Sequence, residues 1–311
     1  MTKFFFICFF TLIIAKIDAQ FLNSPSDSVW KKYSKELYLG VGGVQFLGDL
    51  GGQAGSGKKV GLGDMNLHTT SWEVHLGFRK QFHPLFATSS QFTYGYFEAN
   101  DGYTTNFERS IRNLGVRSVL IDFSQRLEFI YFSKYKEKVK NEKIKKSRFQ
   151  LYTFTGIGLV YFNPKGFFPS EASVSGDSYV FYGDDNWHQL RALRTEGQGY
   201  VNGSKRYKKI SAVIPFGFGA QKSISQKSCI KLELTYVKTF TDYMDDVSSA
   251  PYYDYIGNGV PASPNQLYFS DPSWKQELTS SGKARGGKGN DCYFYASFSI
   301  VRALGLKEKK K

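Results

Sequence analysis

The chain has 311 residues, of which 41% are hydrophobic, 17% aromatic and 22% charged, with 41 basic against 27 acidic side chains. The 28 Phe and 21 Tyr exclude a disordered chain, and three cysteines are too few for a disulfide scaffold. No internal stretch approaches the ~20 apolar residues of a membrane helix, which excludes a multi-span helical membrane protein.

In chain order, Lys3 precedes an apolar run from Phe4 to Ala15, and Ile17-Asp18-Ala19 ends in a small residue before Gln20. This is the pattern of a secretory signal over residues 1–19, cleaved after Ala19. Lys16 and Asp18 cut the run too short for an anchor helix, and Cys8 lacks the small residue that precedes a lipoprotein cysteine. Residues 20–36 then form an N-terminal segment, and Cys229 and Cys292 remain in the mature chain.

From there the periodicity is that of strands. Weak alternation at 37–46 precedes a clear case at 71–79, where Trp72, Val74, Leu76 and Phe78 alternate with Ser71, Glu73, His75 and Arg79. A weaker segment at 85–98 leads to 118–131, where Val119, Ile121, Phe123, Leu127, Phe129 and Tyr131 alternate with polar partners including Asp122, Arg126 and Glu128. Segments at 149–162 and 210–221 follow. At 229–241 Ile230, Leu232, Leu234 and Tyr236 alternate with Lys231, Glu233 and Thr235, and 292–300 closes the series. A period of two gives each strand one apolar and one polar face. Eight strands are predicted.

Eight such strands suit a soluble sandwich or a membrane barrel. Sandwich strands average about 5–6 residues, whereas a tilted transmembrane strand needs ~9–11, which several runs here reach. The connections decide between them. Those at 47–66, 99–113, 163–208 and 243–290 are moderate to very long, while 80–84 and 222–227 are tight and 133–148 is moderate. Membrane barrels place long loops outside and short turns in the periplasm, with both termini periplasmic for an even strand count. The reading is therefore all-β: an eight-stranded antiparallel transmembrane β-barrel over 37–303 with long extracellular loops, in a bacterial outer membrane, followed by a basic periplasmic tail at 304–311.

A barrel of this size is filled by its own side chains. Glu73, Arg79, Asp122, Arg126, Glu128, Lys231 and Glu233 point inward on this register, and buried charges must pair. Two readings stand, a plug held by ion pairs and a proton or ion path, and the plug is favoured; a porin is not expected. The steps Gly40–Gly42, Gly156–Gly158 and Gly217–Gly219 read as bends or as gaps beside bulky neighbours. Cys229 and Cys292 fall at opposite ends of their strands, too far apart for a disulfide, and read as packed thiols.

Sharper motifs fail on inspection. Gly52 to Lys58 matches most of a phosphate loop, but Lys59 stands where Ser or Thr should bind magnesium and no amphipathic helix follows. His68, His75, His83 and His188 have no metal-type spacing, and no Gly-x-Ser-x-Gly or His-Glu-x-x-His occurs. Asn202-Gly203-Ser204 is a glycosylation sequon that means little if the source is bacterial. Asp242, Asp245 and Asp246 form either a solvated acidic strand end, the favoured reading, or a cation site. Serine, histidine and carboxylate side chains distant in sequence are still free to converge in space.

The segments Leu39-Gly-Val-Gly-Gly-Val-Gln-Phe-Leu-Gly-Asp-Leu50, Thr155-Gly-Ile-Gly-Leu-Val-Tyr-Phe-Asn-Pro-Lys165, Leu193-Arg-Thr-Glu-Gly-Gln-Gly199 and Ile214-Pro-Phe-Gly-Phe-Gly219 carry a family resemblance. So do Glu233-Leu-Thr-Tyr-Val-Lys-Thr-Phe-Thr-Asp-Tyr-Met-Asp-Asp-Val247 and Asn290-Asp-Cys-Tyr-Phe-Tyr295. In order and over almost the whole mature chain, they resemble a family of Bacteroidota outer-membrane barrels that includes the PorG component of the type IX secretion system. The resemblance implies an outer-membrane barrel without catalysis or cofactor, associated with the periplasmic PorK–PorN ring. The Lys-rich 134–148 connection and the lysine tail depart from the family pattern.

Charge gives a separate view of the partner. On this topology nineteen basic residues against five acidic ones fall on the periplasmic side, which holds essentially all of the excess. They concentrate in Lys134, Lys136, Lys138, Lys140, Lys143, Lys145, Lys146 and Arg148, and in the tail at Lys307, Lys309, Lys310 and Lys311. Such a rim suits anionic lipid headgroups of the outer membrane or an acidic periplasmic protein, and both stay open. The compartment excludes nucleic acid. Two function classes survive. One is a non-enzymatic barrel that anchors or aligns a secretion assembly. The other is a lipid-modifying enzyme or surface receptor working through the aromatic-rich loops at 163–208 and 243–290.

Overall fold

The computed structural model describes residues 31, 34–50, 69–104, 107–140, 143–170, 172–174, 179–181, 183–201, 204–225, 227–273 and 276–304. The signal at 1–19, the segment 20–30, the Gly52–Lys58 motif, His68, the Asn202-Gly203 pair and the tail from 305 lie outside the described residues.

Among the described residues eleven strands follow in order: β1 (Lys35–Leu47), β2 (Ser71–His83), β3 (Phe86–Asn100), β4 (Gly115–Lys140), β5 (Lys143–Phe168), β6 (Ala172–Val174), β7 (Tyr179–Phe181), β8 (Asn186–Gln189), β9 (Ile210–Ser223), β10 (Ser228–Thr239) and β11 (Cys292–Ala303). β1 to β5 and β9 to β11 pair antiparallel with their chain neighbours, β5 pairs with β9, and β11 returns to β1. The sheet closes on itself as an eight-stranded antiparallel barrel, the fold of an outer-membrane β-barrel. All eight predicted strands are present. β8 extends the wall beside the end of β5, and β6 and β7 form a separate hairpin.

The polarity of the wall is inside out. Along β2, Ser71, Glu73, His75 and Arg79 are buried while Trp72, Val74, Leu76 and Phe78 face outward. Leu39, Ile157 and Phe218, on three other strands, are 64%, 72% and 61% exposed. Soluble monomers rarely leave so continuous an apolar band to water. It is the lipid-facing surface expected of a transmembrane barrel.

Loop lengths sort completely by end. Where β1 begins and β11 stops (the terminal end), the connections are 84–85, 141–142 and 224–227. At the opposite loop end they run 48–70, 101–114, 169–209 and 240–291. This corrects the moderate connection expected at 133–148. β3 pairs with β4 only down to Phe86↔Phe129, and β9 with β5 only from Phe149↔Lys222. Past those points β4 and β5 continue as a two-stranded ribbon through Lys138↔Lys145 to Lys140↔Lys143. At ~3.3 Å per residue it extends roughly 30 Å beyond the barrel rim.

The interior changes character along the axis. Its terminal half is polar. Toward the loops it becomes apolar, with Val44, Phe97, Leu120 and Phe162 continuous with Leu190, Met244, Val247 and Phe269 from the loops. Among the described residues the loops carry three short α-helices, α1 (Phe107–Arg112), α2 (Leu190–Leu193) and α3 (Pro264–Ser270). Two Gly-x-Gly steps make room for large interior groups. A Cβ on Gly40 would stand 2.5 Å from the His75 ring, and one on Gly219 2.2 Å from the Tyr152 ring.

Candidate functional site

The seven charged residues expected inside the barrel are all buried. Glu36, the last residue of the expected N-terminal segment, is buried with them. Arg79 donates to Glu128 Oε2 at 2.6 Å and to Glu36 Oε2 at 2.9 Å. Arg148 pairs with Glu36 as well, and Gln221 donates to Glu36 Oε1 at 2.9 Å. Arg148 therefore leaves the basic rim to which it was assigned. Higher up, Glu233 takes Lys231 at 3.0 Å, Arg126 at 3.5 Å and the Tyr152 hydroxyl at 2.7 Å. Arg126 also donates to the Tyr295 hydroxyl at 2.6 Å, and Tyr293 donates to Asp122. Strands distant in sequence are stapled through the axis, and the bore is filled.

One constellation was not visible in the sequence. His75 Nδ1 lies 2.9 Å from Glu73 Oε2, and His75 Nε2 lies 2.8 Å from Ser299 Oγ. These are the contacts of a serine–histidine–carboxylate triad. They span β2 and β11 because Gly40, on β1 between them, has no side chain. Glu73, His75 and Ser299 are 0%, 2% and 1% exposed. The triad is walled in by the barrel, and the one cleft described below does not include it.

At the loop end two arginines tie the four long connections together. Arg112 forks onto Asp101 at 2.7 and 2.9 Å and donates to the carbonyls of Asp49 and Arg285. Arg285 donates to Thr195 Oγ1 at 2.6 Å and to the carbonyls of Asp246 and Phe269, and lies 3.5 Å from the Asp246 carboxylate. Tyr207 and Thr195 add hydroxyls to Asp246.

Around them sits an excess of acid. Asp245 and Asp246 are buried, so the acidic strand end is not solvated as expected. Asp245 accepts from the amides of Leu50 and Val247, and Asp291 from the amide of Met244. Burial and the neighbouring acids hold both carboxyls well above the usual carboxylate range. Burial, with Asp49 and Glu196 nearby, lifts Asp242 to about 7, and burial lifts Glu196 to about 7 against the pull of Arg285. Among the described residues no group of three or more His, Cys, Asp or Glu is arranged to hold a metal ion.

The loop aromatics pack on one another. Phe168 meets Tyr268 at 5.0 Å and Phe269 at 5.8 Å, and Tyr252 and Tyr255 are buried. A cleft of about 270 Å³ opens at this rim between Glu98, Asn100, Leu114, Trp187 and Phe269. His188, nearby, bonds Asp184 at 2.9 Å and the Asn265 amide at 3.3 Å, with no serine on either nitrogen.

The terminal end is basic. Lys35, Lys80, Lys134, Lys222 and Arg302 face outward below the apolar band. On the ribbon, the period of two and the register place Lys136, Lys138, Lys140, Lys143 and Lys145 at positions on one face. Cys229 and Cys292 are both buried free thiols.

No family model matches the chain, and no curated protein does. Among solved structures it is similar to Neisserial surface protein A, with 7% identity and a TM-score of 0.33 over 87% of this chain and 97% of that one. It is also similar to Ail, the attachment invasion locus protein of Yersinia pestis, with 9% identity and a TM-score of 0.31 over 86% and 98% of the two chains. At this level of likeness the fold assignment rests on the closed strand pairing of the chain itself.

Proposed function

We propose that this chain is a non-enzymatic barrel of a bacterial outer membrane that anchors or aligns a periplasmic secretion assembly, as its resemblance to the family containing PorG implies. Its termini and its β4–β5 ribbon lie on the periplasmic side, and the PorK–PorN ring is the candidate partner. One observation carries the reading: among the described residues the bore is filled with side chains, yet β4 and β5 extend past the terminal rim as a ribbon with lysine positions on one face. Complementary charge speeds and orients docking onto an acidic protein surface.

Replacing Lys138, Lys140, Lys143, Lys145 and Lys146 by Gln lowers co-purification of the partner several-fold and leaves the amount of heat-modifiable barrel unchanged. The loss is partial, because each exposed pair contributes only about 0–1 kcal/mol. Salt weakens the wild-type complex more than the variant's. Equal co-purification and equal salt response move docking to another surface.

A lipid-modifying enzyme is the second reading, and Ser299–His75–Glu73 is the observation that favours it. Acyl transfer needs a substrate carbonyl within reach of the serine, and side chains exposed by 2% or less offer no such approach. Ser299→Ala and His75→Ala leave lipid composition unchanged on the non-enzymatic reading. A change in lipid acylation that follows both substitutions supports the second.

A further inference from the structure

The outward cations of the two rims are distributed differently. At the terminal end they surround the barrel, on β1, β2, β4, β9 and β11. At the loop end, β1, β2, β3 and β11 carry no outward cation among the described residues, whereas β4, β5, the approach to β9 and the end of β10 carry Arg117, Lys165, Lys209 and Lys238 in sequence around the wall. A cluster confined to one side is a site rather than a girdle.

Its members are held together by backbone. Arg117 is the cross-strand partner of Lys165, and Lys165 is the cross-strand partner of Gln189 on β8. Gln189 Oε1 accepts from Lys209 Nζ at 3.3 Å, and Arg191, two residues on, donates to the Tyr207 carbonyl at 2.6 Å. Like charges facing each other across a strand pair are destabilising unless something relieves them. Arg117 has relief from Glu98 at 3.5 Å and from the Tyr96 ring at 4.4 Å. Lys165, Lys209 and Arg191 enter no ion pair among the described residues. Partial desolvation, then Arg191 and Lys165, press the Lys209 ammonium below its ordinary pKa, the mark of crowded cations without an anion.

The surroundings identify the missing anion. Four residues down β4 and β5 from Arg117 and Lys165 lie Ile121 and Tyr161, with Ile210 beside Tyr161 on β9, all on the lipid-facing side. Four residues of strand span on the order of 13 Å, so Arg117 and Lys165 stand above the apolar positions that meet the acyl region. We propose that the loop-end rim of β4, β5 and β8, with the segment entering β9, binds the phosphate of a phosphorylated lipid in the loop-side leaflet through Lys165, Lys209 and Arg191, with its acyl chains along Tyr161 and Ile210. The inference rests on the membrane-embedded part of the proposed function and is independent of any role in secretion.

The test uses the full mature chain in phosphatidylcholine nanodiscs doped with bisphosphorylated lipid A or with its dephosphorylated form, with retained lipid counted by native mass spectrometry. At roughly fivefold per cation near a membrane surface, wild type retains the phosphorylated form at least tenfold over the dephosphorylated one. The combined Lys165→Gln, Arg191→Gln and Lys209→Gln variant loses that preference. A Lys283→Gln and Lys288→Gln variant, altered elsewhere on the loops, keeps it. Heat-modifiable migration verifies that every variant is folded. A triple variant with wild-type preference, or a control pair that loses it equally, overturns the site. Displacement of the lipid by inorganic phosphate alone overturns the lipid as its ligand. A partner-docking failure of the ribbon variant leaves all of these outcomes unaffected, so the two proposals fail separately.

Discussion

The two ends of the molecule both bury charge, and they satisfy it by opposite means. At the terminal end carboxylates meet cations across the bore: Glu36 takes Arg79 and Arg148, Glu128 takes Arg79, and Glu233 takes Arg126 besides Lys231 of its own strand. At the loop end the acids outnumber Arg112 and Arg285, and backbone amides serve Asp245, Asp291 and Glu196. The difference follows from geometry. Strands project side chains from all sides onto one axis, where ion pairs can form across the bore. Irregular loops instead leave amides that the strand ladder does not use, and carboxylates are the groups that accept from them.

Breaking the terminal-end network should have the largest effect. Glu36→Gln leaves the buried Arg79 and Arg148 short of a carboxylate, at a cost of about 3–5 kcal/mol. The temperature at which the folded gel band converts to the unfolded one should drop clearly. Arg285→Ala removes charged hydrogen bonds worth about 1.5–3 kcal/mol, but at the loop end alone. Limited proteolysis should then cut within 169–209 and 240–291 while the barrel band keeps its conversion temperature. If both variants lower that temperature equally, the ends are not separate units.

Gly40→Ala probes the wall between them. Its Cβ would stand 2.3 Å from the Phe298 carbonyl oxygen and 2.5 Å from His75, an overpacking cost of about 1–3 kcal/mol. A Gly43→Ala control, whose nearest contact is 3.3 Å, should cost less.

The mildest effect is that of pH. Asp242 and Glu196 hold protons up to about pH 7 in the folded loops, whereas an unfolded chain releases them near pH 4. The folded state binds more protons across that interval, so loop stability is fully present below about pH 4 and declines as pH rises through 7. Loop proteolysis should be slower at pH 5 than at pH 8, and Asp242→Asn should flatten the dependence. Faster cutting at pH 5 contradicts the assignment.

Much of the barrel was legible because strand alternation records which face meets lipid: Glu73, Asp122 and Lys231 announced the interior two residues at a time. The ribbon was not, because Lys134 to Lys140 alternate at the strand period with no apolar face to mark it. Arg148 reads as a rim charge and Glu36 as the end of the N-terminal segment because each lies near the end of its strand run, where inward and outward positions look alike. The loop-end core, including Arg112, Arg285 and Asp101, depends on contacts between connections that share no periodic pattern. His75 and Ser299 meet only because β11 returns to β1, a closure that no local stretch encodes. The glycines at 40 and 42 were the one hint that bulky groups lay opposite.

The reading of the terminal end as the partner-facing side depends on which end lies outside the cell. In a Cys229→Ser and Cys292→Ser background, Ser263→Cys marks the loop end and Asn141→Cys the connection between β4 and β5. With a membrane-impermeant thiol reagent on intact cells, the account predicts labelling at 263 and labelling at 141 only after the outer membrane is opened. Labelling at 141 in intact cells, with 263 protected, would contradict it.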